Sequence, residues 1–128
     1  MPTILELTPE ERAHYIRQAR DRPGPPPLTA SQQQKRERLL ARAHEAAAEL
    51  RHRFGVKRVI LFGSLAHTAW FASDSDVDIA VEGLSGGDFW EAWRVVERII
   101  EERQVDLVEF EYATPALRRA IKRHGIEL

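Results

Sequence analysis

The sequence predicts a mixed α/β fold (α+β), a small β-sheet with helices packed on it. Three observations carry that prediction. Val59-Ile60-Leu61-Phe62 is an unbroken apolar run, as in a strand buried on both faces. Leu39, Leu40, Ala43, Ala47, Leu50 and Phe54 recur at intervals of three and four, the stripe of a helix that lies on a core. Beyond them, short apolar strand patterns alternate with capped helical ones to the end of the chain.

Taken in order, Thr8-Pro9-Glu10-Glu11 opens a first helix, with Thr as N-cap, Pro at the first helical position and Glu three residues after the cap. It is expected to reach about Arg20 and to stop at Arg22-Pro23-Gly24-Pro25-Pro26-Pro27, a stiff extended spacer. Residues 1–28 therefore read as a helical arm with a Pro-rich spacer, and residues 29–128 as the folded domain. Thr29 or Ser31 caps a long helix ending near Gly55. Val56–Phe62 is the first strand, ended by Gly63-Ser64, and Val77–Val81 is the second. Asp88-Phe89-Trp90-Glu91 has capping-box spacing and opens a helix to about Arg103, with Phe89, Trp93, Val96 and Ile100 inward. Val105–Phe110 is a third strand. Thr114-Pro115 starts a last helix, which Gly125 ends after Arg118, Arg119, Lys122 and Arg123, a basic run suited to a helix C-terminus.

With 128 residues, 43% hydrophobic and 30% charged, the chain has the material for one domain with a real core, which excludes a disordered, collagen-like or coiled-coil protein. It has no Cys, so disulfides, thiolate zinc sites and Cys nucleophiles are excluded together. No apolar run approaches the ~18 residues of a membrane helix, and the N-terminus lacks the pattern of a signal peptide; the expectation is a cytoplasmic protein with no membrane partner. The net charge of −1 hides an asymmetry, because residues 29–58 carry eight Lys/Arg against three Glu while residues 59–128 carry seven basic against thirteen acidic side chains. The basic helix is either a solvated face or a surface for phosphate, RNA or an acidic partner.

Chemistry concentrates in Phe62-Gly63-Ser64 and Asp76-Val77-Asp78-Ile79. Positions two apart on a strand share a face, so Asp76 and Asp78 bring two carboxylates together. Unneutralised, they repel until one holds a proton, and a divalent cation resolves the conflict. Mg²⁺ suits such a site, with one or two carboxylates, waters and substrate phosphate oxygens as ligands. Gly63 lets the backbone turn tightly after a buried strand, and Ser64 opens a turn whose N–H groups and hydroxyl can hold phosphate. Asp106, acidic in the otherwise apolar Val105-Asp106-Leu107-Val108, is the candidate third carboxylate. A phosphate grip opposite carboxylates equips a chain for metal-assisted phosphoryl or nucleotidyl transfer.

This stretch, Phe62-Gly63-Ser64, eleven residues, then Asp76-Val77-Asp78-Ile79, resembles the signature of the DNA polymerase β-type nucleotidyltransferases. With Ala80-Val81-Glu82-Gly83-Leu84 and Val105-Asp106-Leu107-Val108, residues 31–128 resemble the minimal nucleotidyltransferase (MNT) domains. The resemblance implies a mixed sheet flanked by helices, two Mg²⁺ held by Asp76 and Asp78 with Asp106 on one of them, and ATP phosphates at Gly63 and Ser64. It implies transfer of AMP from ATP to a hydroxyl with release of pyrophosphate. It further implies an antitoxin that modifies a tyrosine of a HEPN-domain ribonuclease toxin. The alternatives left open are transfer to tRNA or a small molecule, and an antitoxin that acts by occlusion without catalysis. A homo-oligomer is compatible with all three. Where many MNT domains have Ala-Arg-Gly after the Gly-Ser pair, this chain has Ala66-His67-Thr68, and its spacer is one residue longer, with Asp74 extra.

Other residues have two readings each. His67 is a turn residue or a γ-phosphate contact; Trp70-Phe71 covers the core or stacks on a base. Trp90 and Trp93 cannot both face inward on one helix, so they are core or partner surface. His14, His44, His52 and His124 lack metal-ligand spacing and are expected to face solvent.

Overall fold

The computed structural model describes residues 27–67, 71–72 and 75–128. The helix expected from Thr8, the spacer before Pro27, and His14, Thr68, Trp70 and Asp74 lie outside the described residues. Helix α1 (Ala30–Phe54) begins at Thr29, whose side chain accepts from Gln32 N–H while the Gln32 side chain accepts from Thr29 N–H. That capping box satisfies two N–H groups that helical bonding leaves open. Gly55 closes α1 in the left-handed conformation (φ 64°), with its N–H donating to the Arg51 carbonyl.

Strand β1 (Arg58–Phe62) runs into a 3₁₀ turn, Ser64–Ala66; β2 (Val77–Glu82), α2 (Phe89–Ile99) and β3 (Val105–Glu109) follow. A second 3₁₀ turn (Phe110–Tyr112), α3 (Pro115–His124) and a short β4 (Ile126–Glu127) complete the described elements. The sheet order is β3-β2-β1-β4, with β2 and β3 parallel and β1 antiparallel to both β2 and β4. The expected mixed sheet flanked by helices is therefore present.

The two faces of the sheet differ. Val59, Leu61, Val77, Ile79, Val81, Val105 and Leu107 point to one face, where they pack with Leu39, Ala43, Ala46, Ala47 and Leu50 of α1 and Ala92 and Val96 of α2. Ile60, Phe62 and Ala80 point to the other face and meet Phe110 and Ile121 in a smaller cluster. Both sides of β1 are covered, as its unbroken apolar run requires.

Two expectations are corrected and one element is added. Helix α2 stops at Ile99 rather than about Arg103, because Ile100 (φ −104°, ψ 85°) leaves helical geometry to bury its side chain. Asp88 caps nothing with its side chain: its backbone is already helical (φ −88°, ψ −6°) rather than extended as in a cap, so the expected box does not form. The fourth strand is new; Leu128 N–H donates to the Val59 carbonyl beside it. Thr114 does cap α3, accepting from Leu117 N–H, with Pro115 at the first helical position. Among the described residues no helix is long and apolar enough to cross a membrane.

Candidate active site

The register assembles the site. Phe62 pairs with Asp78 across β1 and β2, and Asp78 pairs with Asp106 across β2 and β3. Residues paired in this way share a sheet face, so Asp78 and Asp106 stand side by side where the α3 cluster ends. Gly63 follows Phe62 at the same end of the sheet.

Gly63 (φ 78°, ψ −160°) lies in a conformation that side chains rarely adopt. A Cβ there would fall on Oδ2 of Asp78 and within 3.1 Å of its Cγ. Only a residue without a side chain lets the turn lie against that carboxylate. Ser64 then opens the 3₁₀ turn, closed by Ala66 N–H donating to the Gly63 carbonyl at 3.2 Å. Arg36 of α1 reaches across to this turn, donating to the carbonyls of Leu65 (3.2 Å) and Ala66 (3.3 Å).

Burial pushes the Asp78 carboxyl up to about 7, with further contributions from the Asp106 charge, the Asp76 charge and a hydrogen bond with Asp106. The sequence pairs Asp78 with Asp76; the structure makes Asp106, its neighbour across the ladder, the stronger influence. Asp76 precedes β2 rather than lying in it, and its Oδ1 accepts from Nη2 of Arg103 at 3.1 Å. Arg103 also donates Nε–H to the Ser75 carbonyl at 3.2 Å. The sequence reading missed both Arg36 and Arg103. The signal for Arg103 was the parallel register: two residues before Val105, it faces the segment two residues before Val77.

The other candidates fall elsewhere. His67 Nε2 lies 2.7 Å from the His124 carbonyl and its ring meets that of His124 edge-on, so it ties the turn to the end of α3. His124 is accordingly half-buried, not solvent-facing as expected, whereas His44 and His52 are exposed. Phe71 is core, 7% exposed. Trp90 is 66% exposed and stacks on the half-buried Trp93. A cavity of about 400 Å³ lies by these tryptophans with Arg94, Glu97, Gln104 and Val105, and none of the three carboxylates lines it.

Residues 45–128 match the family model "Polymerase beta, Nucleotidyltransferase". This chain belongs to the polymerase β nucleotidyltransferase family. Among solved structures it is similar to one described as a minimal nucleotidyltransferase, at 33% identity over 73% of this chain and 95% of that one, with TM-score 0.59. It is also similar to a chain of the MntA–HepT toxin–antitoxin (23% identity, 69% of each chain, TM-score 0.53). A third similar structure is a toxin–antitoxin with AMP-PNP (23% identity, 72% of this chain and 70% of that one, TM-score 0.52). The comparison with curated proteins gives no match. At these identities the toxin–antitoxin structures establish the fold of this nucleotidyltransferase.

The donor set can be tested for a divalent cation. Hard carboxylate oxygens, a carboxyl held up to about 7 beside its neighbour, and a glycine turn laid against it match a site in which a cation replaces a proton. Among the described residues no three of His, Asp and Glu already converge as a ligand cage. Asp78 and Asp106 form a pair, with Asp76 held beside them by Arg103.

Proposed function

We propose that this nucleotidyltransferase moves AMP from ATP to a hydroxyl of a protein, releasing pyrophosphate, and that the acceptor is a tyrosine of a HEPN-type ribonuclease toxin. The observation that carries the reading is the Phe62–Asp78–Asp106 register, which sets the glycine turn at Gly63 against a carboxylate pair. The AMP-PNP of one similar toxin–antitoxin and the paired toxin of another support the nucleotide and the partner.

In this reading Asp76, Asp78 and Asp106 would hold Mg²⁺, which when bound offsets phosphate charge and lowers the pKa of the attacking hydroxyl. Gly63 and Ser64 take the triphosphate through backbone N–H groups at the start of the 3₁₀ turn. Arg36 keeps that turn in place from behind. Asp106, on an edge strand, is the carboxylate that faces an incoming acceptor and accepts its proton. The acceptor would be presented by another protein in the cytoplasm.

The test is transfer of labelled AMP from ATP to a co-purified HEPN-type toxin. Asp76→Asn and Asp78→Asn are each expected to lower the rate at least ~100-fold, with the circular dichroism spectrum unchanged. Transfer at the wild-type rate in both variants would refute the assignment. Toxin neutralised by the double variant without any label would instead identify an antitoxin that acts by occlusion.

A further inference from the structure

Arg103 lies three residues before Asp106 but acts on Asp76. Its guanidinium spans two acceptors of adjacent residues, the Ser75 carbonyl through Nε and Asp76 Oδ1 through Nη2, at 3.2 and 3.1 Å. Such a fork fixes a plane as well as a distance. The backbone beneath it is held too, because Val77 N–H donates to the Gln104 carbonyl at 2.9 Å. Asp76 has more need of restraint than Asp78. It stands outside the β ladder with its side chain 42% exposed, whereas Asp78 is wedged between Gly63 and Asp106. Left alone, an exposed aspartate turns among its rotamers and presents either oxygen.

We infer that Arg103 is a positioning residue for the cation site: it occupies Oδ1 of Asp76 and thereby presents Oδ2 to the metal. This rests on the reading of Asp76 as a cation ligand. Carboxylates that ligate metals are themselves hydrogen-bonded, and loss of such a partner typically costs 10- to 100-fold in metal affinity. The early end of α2 belongs to the same device. By leaving the helix at Ile100, the chain brings Arg103 level with Ser75 and Asp76 instead of continuing it round a further helical turn.

The opposite electrostatic prediction makes the inference testable. A cation such as Arg103 beside the site repels Mn²⁺, so as a charge alone it would weaken binding and its removal would tighten it. Free Mn²⁺ would be measured by its electron paramagnetic resonance signal during titration of the full chain in the presence of AMP-PNP. Arg103→Met, which keeps the apolar stem, is expected to weaken Mn²⁺ binding at least tenfold. Arg103→Lys, which keeps the charge but loses the fork, is expected to fall between the two. In an Asp76→Asn background, Arg103→Met should add nothing, because its effect passes through Asp76. Unchanged or tighter binding in Arg103→Met, or an undiminished loss in the Asp76→Asn background, overturns the inference. Should Arg103→Met fail to fold, Arg103→Lys decides: several-fold weakening supports positioning and wild-type binding refutes it. Wild-type affinity in Asp76→Asn alone, or no Mn²⁺ binding by the wild-type chain, overturns the ligand reading of Asp76 itself.

Discussion

Asp78 is where the site's chemistry and its stability oppose each other. Its carboxyl titrates at about 7 in the fold, chiefly through burial, against about 3.9 for an unfolded aspartate. Because the folded value is the higher one, the group's contribution to stability is fully present below about pH 4 and is lost as pH rises through about 7. Asp78→Asn, which cannot ionise, is therefore expected to be more stable than wild type above pH 7, by about 1–2 kcal/mol after allowance for solvent at this partly open site. The difference should vanish near pH 4 in urea denaturation at the two pH values. Divalent cation binding to the wild type should strengthen from pH 5 to about 7, as protons leave, and then level off; calorimetric titration would follow it. Gly63 makes the second prediction at this scale. Gly63→Ala must accommodate both a positive φ and a methyl group lying on Asp78, so a loss of about 2 kcal/mol or more is expected in chemical denaturation. Nucleotide binding should be lost with it.

At the scale of elements, the turn that carries Ser64 is braced by a helix remote in sequence. Arg36→Met removes two donors from the Leu65 and Ala66 carbonyls and leaves α1 intact. The expected result is a stability loss of about 1 kcal/mol with a larger, several-fold weakening of ATP-analogue binding, measured by calorimetry. The sequence made α1 and α3 legible because Thr29 and Thr114 act within their own first turns. For α2 it placed the start at Phe89 but misjudged the cap and the end. Asp88 had the spacing of a cap without the backbone of one, and Ile100 answered to the core rather than to helix continuity. Strand β4 was illegible because two residues carry no period; pairing with β1 alone defines it. In the same way, Asp78 and Asp106 could be named from the sequence, but their adjacency is a property of register. Arg103 and Arg36 bond across the fold, and neither has a local pattern.

At the scale of the molecule, the sheet divides its duties by face. One face is a continuous core with α1 and α2; the other is apolar only as far as α3 and Phe110 reach, and the carboxylates take up the remainder. Leu61, fully buried on the first face, should therefore cost about 2–5 kcal/mol when replaced by Ala, read as a drop in the midpoint of thermal unfolding. The surviving folded fraction should retain its cation affinity, since Asp78 and Asp106 face the other way. The antiparallel pairing of β1 with β2 has a different consequence. The end of β1 and the start of β2 meet through the Phe62–Asp78 pair whatever the length of chain between them. The approach of Gly63 to Asp78 is thus inherited from the ladder, which leaves the described part of the segment after the glycine turn to other duties: His67 ties the turn to the end of α3 and Phe71 enters the core.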